Sequence, residues 1–170
     1  DHQCVKALSV AKRKTGGRNY TGSICTRRIG GGHKRRVRLL DRHKKTETEQ
    51  RVVRIEHDPN RSAKLMLLQD AITKRLSYRI ACDGIQAGQV ITDTINKDPK
   101  AKSTEVGACL PLKLIPLGTR IYDLETLPLG GGKLVRAAGT HATLVGHIPD
   151  RPYSLVKLPS GQTKQLHSEC

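Results

Sequence analysis

From Arg36 to the C-terminus the chain reads as short strands separated by turn residues, and no long segment keeps a helical 3.6-residue period. The pattern predicts strands over Arg36–Leu40, Gln50–His57, Lys64–Gln69, Leu76–Cys82 and Gln89–Thr94. In the first of these, Arg36, Val37, Arg38 and Leu39 alternate, which sets apolar groups on one face and arginines on the other. His57-Asp58-Pro59-Asn60-Arg61-Ser62 predicts a turn, because Pro fixes φ while Asn and Ser can bond the local backbone. Asp83-Gly84 and Ala87-Gly88 punctuate the next connections. Five short strands in succession predict a small closed barrel, since closure removes exposed edges.

Residues Asn96 to Ser103 are polar and interrupted by Pro99, which predicts a linker or long loop. Leu110-Pro111 and Ile115-Pro116 favour edge or extended backbone. Strands follow over Thr119–Glu125, Ala142–Ile148, Tyr153–Leu158 and Gln162–His167, with a hairpin turn at Leu158-Pro159-Ser160-Gly161-Gln162. This count suits a second small barrel of the SH3-like type. No internal repeat is apparent.

Composition narrows the partner. The 170 residues hold 31 Lys/Arg against 15 Asp/Glu, a net charge of +16. Residues 1–46 carry 14 of the basic residues and two acids, a net of +12; the rest carries only +4. Such a segment buries too little apolar surface to fold alone and is expected to order on a polyanion. A transit peptide is also basic, but it should be amphipathic and Ser-rich, whereas this stretch carries Gly16, Gly17, Gly22 and Gly30 to Gly32. No apolar run approaches the ~18–20 residues of a membrane span. Aromatics amount to four tyrosines, with no Phe or Trp. That scarcity argues against readers that stack successive bases on aromatic platforms, and no helix offers itself to a major groove. Contact with phosphates and shape remains, which suits structured RNA.

The densest motif is Ile29-Gly30-Gly31-Gly32-His33-Lys34-Arg35-Arg36. Three glycines permit close backbone approach, and the adjoining cations supply charge-assisted hydrogen bonds to phosphate oxygens. The alternative is a solvated basic linker.

Enzymatic motifs are missing. Gly130-Gly131-Gly132-Lys133 lacks the early glycine of a nucleotide-binding loop, with Leu127 in its place, and Leu134 stands where the metal-binding hydroxyl is needed. No G-x-S-x-G elbow or H-E-x-x-H pair occurs. Glu47/Glu49 and Asp123/Glu125 read as solvated charge partners at strand edges, so neither a catalytic residue nor a cofactor is expected. Cys4, Cys25, Cys82, Cys109 and Cys170 form no C-x-x-C pair, and His141 and His147 have no Cys pair upstream; no metal site is expected, and the cysteines read as free thiols in a reducing compartment.

Several motifs together resemble a known family. Lys14-Thr15-Gly16-Gly17-Arg18-Asn19-Tyr20-Thr21-Gly22, then Gly30 to Arg36, then Asp58-Pro59-Asn60-Arg61-Ser62-Ala63, resemble the universal large-subunit ribosomal protein L-two family in order and spacing. Ile115-Pro116-Leu117-Gly118-Thr119 and Arg136-Ala137-Ala138-Gly139-Thr140 fit the same pattern. The resemblance runs from about Lys14 to Cys170. It implies an OB-fold barrel and an SH3-like barrel with basic extensions threaded into large-subunit rRNA. It also implies a place near the peptidyl transferase centre, with support for subunit association and peptide-bond formation. Arg18, Gly30, Gly31, Gly32, His33, Lys34 and Arg35 match the RNA-contacting N-terminal pattern. Asn60, Arg61 and Ser62 match the turn of the first barrel; Arg136, Ala138, Gly139 and Thr140 match a loop of the second. The neighbouring basic residues Arg13, Lys14, Arg27, Arg28, Arg36, Arg38, Arg42 and Lys133 join them as candidate RNA contacts.

The family continues past the second barrel into a Gly- and Arg-rich extension with a His-rich loop. The sequence ends at Cys170, so that histidine has no counterpart in it. The divergent interior and the start at Asp1 point to a mitochondrial ribosome ahead of a bacterial or other organellar one. The expected organisation is an all-β chain: an extended basic arm over 1–35, an OB-fold barrel over 36–106 and an SH3-like barrel over 107–170. The expected role is a structural constituent of the large ribosomal subunit, not an enzyme. Its expected partners are large-subunit rRNA, neighbouring ribosomal proteins and the small subunit across the interface. The alternatives are a free-standing nucleic-acid-binding barrel protein, such as a ribosome-assembly factor, and a hydrolase using Asp123 or Glu125.

Overall fold

A computed structural model describes residues 4–43, 49–93 and 106–170. Glu47, the 96–103 loop and the last residue of the Gln89–Thr94 strand lie outside the described residues. Among the described residues the regular structure is β, apart from two single 3₁₀ turns at Lys6–Leu8 and Leu112–Leu114. The all-β class expected from the sequence holds, and the antiparallel sheets fit an OB-fold unit followed by an SH3-like unit.

The first sheet has the order β5-β4-β3-β6, with β3 Glu49–Glu56, β4 Leu65–Asp70, β5 Leu76–Ile80 and β6 Val90–Thr92. Strand β4 is its centre, and four successive residues, Leu65 to Leu68, are buried. Because a strand alternates its faces, Leu65 and Leu67 join Ala63, Tyr78 and Ile80 on one side, while Met66 and Leu68 join Val52, Ile85 and Ile91 on the other. The β4–β5 hairpin is tied by Asp70, whose Oδ1 accepts the N–H groups of Ile72 and Thr73 at 2.8 and 3.1 Å. One residue of β3 bulges between Val52 and Arg54.

Residues 4–11, placed in the arm by the sequence, rest against this sheet. Val5 and Leu8 pack on the Leu65–Tyr78 cluster. The buried Tyr78 hydroxyl accepts the Val5 N–H at 3.0 Å and donates to Glu56 Oε2 at 2.8 Å. Strand β1 (Ser9–Ala11) pairs antiparallel with β2 (Arg36–Arg38), and Arg36 Nε–H donates to Ser9 Oγ at 2.9 Å. In β2 the two arginines part: Arg36 is exposed, Arg38 is buried, and Leu39 is 49% exposed. The cause is Asp58, a carboxylate 1% exposed that receives Arg38 from inside.

The second sheet has the order β12-β11-β10-β7, with β7 Arg120–Ile121, β10 Ala142–Ile148, β11 Tyr153–Lys157 and β12 Thr163–His167. Leu112, Ile121, Leu124, Leu144, Val156 and Leu166 form its core. The predicted strand over 119–125 is broken in two. Asp123 takes φ +52°, and β8 (Leu124–Glu125) turns away to pair with β9 (Gly132–Leu134). Asp123 is buried, and Glu125 accepts the N–H groups of Leu129 and Gly131 at 3.1 and 2.8 Å. The expectation of two solvated charge partners is therefore corrected: one carboxylate lies inside the fold, and the other ties the 129–131 backbone.

Candidate nucleic-acid interface

The N-terminal segment is held by its own polar groups. Gly17 takes φ +74°, its carbonyl accepts the N–H groups of Cys25 and Thr26 at 2.9 and 3.1 Å, and a Cβ there would run into the Thr26 carbonyl. Only glycine fits. Arg18 and Ile24 bridge antiparallel, and Asn19 Oδ1 accepts the N–H groups of Thr21 and Ser23, both at 3.0 Å. Arg13, Arg18, Arg27 and Arg28 are exposed around this turn, with Arg28 at φ +62°. Tyr20 stands at its tip, 99% exposed.

The glycine-rich loop is fastened from a distance. Lys14 Nζ donates to the carbonyls of Gly31, Gly32 and His33 at 2.8, 2.5 and 2.8 Å. One ammonium thus gathers three successive carbonyls, and the following Lys34 and Arg35 are left exposed beside it. Ala11, Lys12, Lys14, Lys34, Arg35 and Arg36 line a cleft of about 470 Å³. Five of these six lining residues are cations, which suits a phosphodiester. No sequence motif singles out Lys12; its register opposite Arg35, whose carbonyl accepts the Lys12 N–H at 3.1 Å, places it there.

The predicted turn at 58–62 adjoins this surface. Asp58 Oδ1 accepts the Asn60 N–H at 3.0 Å, and Asp58 Oδ2 accepts Arg61 Nε–H at 2.8 Å. Burial opposes its charge, but these hydrogen bonds and the Arg61 guanidinium hold the carboxyl below the usual range. Asn60 Nδ2–H in turn donates to the Arg36 carbonyl at 2.7 Å, joining the turn to the end of the basic loop. On the far side, Ser62 Oγ accepts the Ala138 N–H at 3.2 Å. The structure therefore brings the two sequence-distant turns, 60–62 and 136–140, into contact. Gly139 is exposed, and Arg136 and Thr140 are half-buried.

Three candidates stand differently. Arg38 is internal, 5% exposed and paired with Asp58, so it supports the turn from beneath and presents no free guanidinium at the surface. Arg42 and Lys133 are exposed, but on the junction between the units, where the Arg42 carbonyl accepts the Gly132 N–H at 3.1 Å and His43 Nδ1–H donates to the Leu129 carbonyl at 3.2 Å. Tyr122 crosses the same junction, its hydroxyl donating to the Ile80 carbonyl at 3.2 Å, and burial pushes that hydroxyl's pKa up.

The family model described as Ribosomal Proteins L2, RNA binding N-terminal domain, matches residues 5–93, and that of the Ribosomal Proteins L2 C-terminal domain matches residues 105–170. The chain is 42% identical over 168 residues to the large ribosomal subunit protein uL2 of Rhodospirillum centenum, covering 98% of this chain and 58% of that one. It is 40% identical over 166 residues to the uL2 of Parabacteroides distasonis, covering 97% and 58%. With the large ribosomal subunit protein uL2m of Schizosaccharomyces pombe it shares 37% identity over 186 residues, covering 95% and 51%. The chain thus spans 51–58% of the length of these relatives. Matched over residues 5–93 and 105–170, the chain belongs to the ribosomal protein L2 family.

Proposed function

We propose that this chain is a structural, rRNA-binding constituent of the large ribosomal subunit, seated near the peptidyl transferase centre, and that it performs no catalytic step. The observation that carries the reading is the Ser62–Ala138 contact together with the Asn60–Arg36 bond. Through them the basic loop, the turn of the first unit and the loop of the second form a single face of backbone amides, small residues and cations. Such a face follows phosphates and shape, and asks for no base-stacking track. Residues 1–35 supply the arm, of which 4–11 pack on the first barrel over 36–106, and 107–170 form the second barrel. The candidate contacts are Arg13, Arg18, Arg27, Arg28, the loop Gly30 to Arg35, Asn60 to Ser62, and the Arg136–Thr140 loop, with Lys14 and Arg36 holding the basic loop in shape.

Salt-washed subunits on a sucrose gradient test this. A ribosomal constituent stays with the large subunit through a moderate salt wash, whereas an assembly factor is recovered in light fractions. Neighbouring ribosomal proteins bound to the same rRNA are its further partners, and the small subunit is its partner across the subunit interface. For the compartment we favour the mitochondrial ribosome, supported by the divergent interior and the uL2m relative of fission yeast. Co-sedimentation with mitochondrial large subunits is the expected outcome, and recovery with another ribosome overturns it.

A further inference from the structure

The four tyrosines occupy unlike environments. Tyr78 is fully buried, Tyr122 is packed at the junction, and Tyr153 meets His167 edge-on with ring centroids 5.7 Å apart. Tyr20 is 99% exposed, the most exposed large apolar side chain among the described residues. Leaving an aromatic ring wholly in water forgoes its burial, which is the main contribution such a side chain makes to stability.

Its mounting, by contrast, is well fixed. Besides the Arg18–Ile24 bridge and the two amides on Asn19 Oδ1, the Asn19 N–H donates to the Ser23 carbonyl at 3.0 Å and the Gly22 N–H to the Asn19 carbonyl at 3.2 Å. Thr21 Oγ1 also donates to Asn19 Oδ1 at 2.6 Å. The turn satisfies its own polar groups and uses no part of the Tyr20 ring. A ring carried outward on an ordered tip loses little freedom when it meets a partner, which favours binding. Arg18, Arg27 and Arg28 are exposed in the same segment. Cations that draw phosphates, in the same short segment as a free ring, match the chemistry of an unpaired nucleotide, whose base offers a π-face and whose backbone offers charge.

We propose that Tyr20 is a base-stacking contact: its ring seats on one unpaired nucleobase of structured RNA, and Arg18, Arg27 and Arg28 hold the adjoining backbone. The scarcity of aromatics rules out a multi-base track but not a single stacked base. This contact rests on the rRNA-binding reading of the arm.

The test uses the full chain with transcribed large-subunit rRNA as probe, titrated at several KCl concentrations. Tyr20→Ala weakens binding about tenfold at every salt concentration, with an unchanged slope against log[KCl], because a stack releases no counterions. Tyr20→Phe keeps wild-type affinity, since the hydroxyl has no part in the contact. The chain has no Trp, so Tyr20→Trp introduces a single reporter. Its emission is quenched and shielded from acrylamide by the rRNA, and stays accessible on a fully paired duplex of equal length. Wild-type affinity of Tyr20→Ala for naked rRNA, or an unquenched reporter in the saturated complex, overturns the stacking contact while leaving the arm's RNA binding in place. Protection of the reporter only in whole subunits assigns the ring to a protein neighbour and also overturns it. Failure of the unsubstituted chain to bind the rRNA overturns both readings.

Discussion

Arg38 Nη1 lies 3.8 Å from Asp58 Oδ1, with both side chains buried, so the basic strand β2 points one of its arginines inward. The same carboxylate orders Asn60 and Arg61, and Asn60 and Ser62 then reach the basic loop and the second unit. A buried ion pair need not be more stable than an apolar substitute, but removing one partner leaves the other charged and uncompensated. Asp58→Asn is therefore expected to lower unfolding free energy by about 3–5 kcal/mol. Arg61→Ala, which removes a partly exposed partner, costs less. Urea unfolding of the two variants checks the order, and equal losses sink the assignment of Asp58 as the anchor.

Acid should act through the same group. Its folded pKa is depressed below the ordinary value of 3.8, so the folded state binds this proton less readily than the unfolded state. The resulting stability is present in full above the unfolded pKa and disappears as pH falls through the lower folded one. The expected outcome is a melting temperature that drops as pH is taken from about 5 toward 2, with a shallower drop in Asp58→Asn. A wild-type profile that is parallel to the variant's speaks against it.

Much of this arrangement is legible in local pattern, and the remainder depends on distant partners. Alternation and turn residues place the strand over 142–148 to the residue, and those of the first sheet to within one or two, because these are local signals. Alternation divides β2 into two faces, but that Arg38 turns inside while Arg36 stays exposed depends on Asp58, 20 residues further on than Arg38. Strand β1 escapes a reading of the sequence because three residues carry no period and its partner lies across the glycine-rich segment. The break at Asp123 and strand β9 depend on a left-handed φ that Asp tolerates but sequence does not announce. For the interface, each turn and basic run is visible separately. That Ser62 touches Ala138, and that Lys14 fastens Gly31 to His33, are relations across 76 and 17 to 19 residues that no linear motif encodes.

The Lys14 clasp makes its own prediction. Its ammonium is exposed and donates to loop carbonyls, so Lys14→Met keeps the stem and removes the donors. Global stability should move by no more than about 0.5 kcal/mol, as for other surface changes. The loop, however, should be freed: trypsin is expected to cut after Lys34 and Arg35 several-fold faster in the free protein. Unchanged cleavage with unchanged stability means that the loop's shape does not depend on Lys14.

The cations of the loop separate into two functions that substitution can distinguish. Lys34 and Arg35 are exposed and lie along the cleft, whereas Arg36 Nε–H donates to Ser9 Oγ at 2.9 Å and its Nη2–H to the Ser9 carbonyl at 2.7 Å. Replacing Lys34 and Arg35 with Ala should leave the melting temperature intact and reduce the magnitude of the salt slope for rRNA binding by about 1.4–1.8, at ~0.7–0.9 for each phosphate no longer neutralised. Adding Arg36→Ala should lower stability as well, because the β1–β2 ribbon then lacks the bonds that tie Ser9 to it. Filter binding across a salt series and thermal unfolding of the double and triple variants read the two effects apart. An unchanged slope in the double variant would remove Lys34 and Arg35 from the phosphate-binding set and leave the interface to the turns at Asn60 and Gly139.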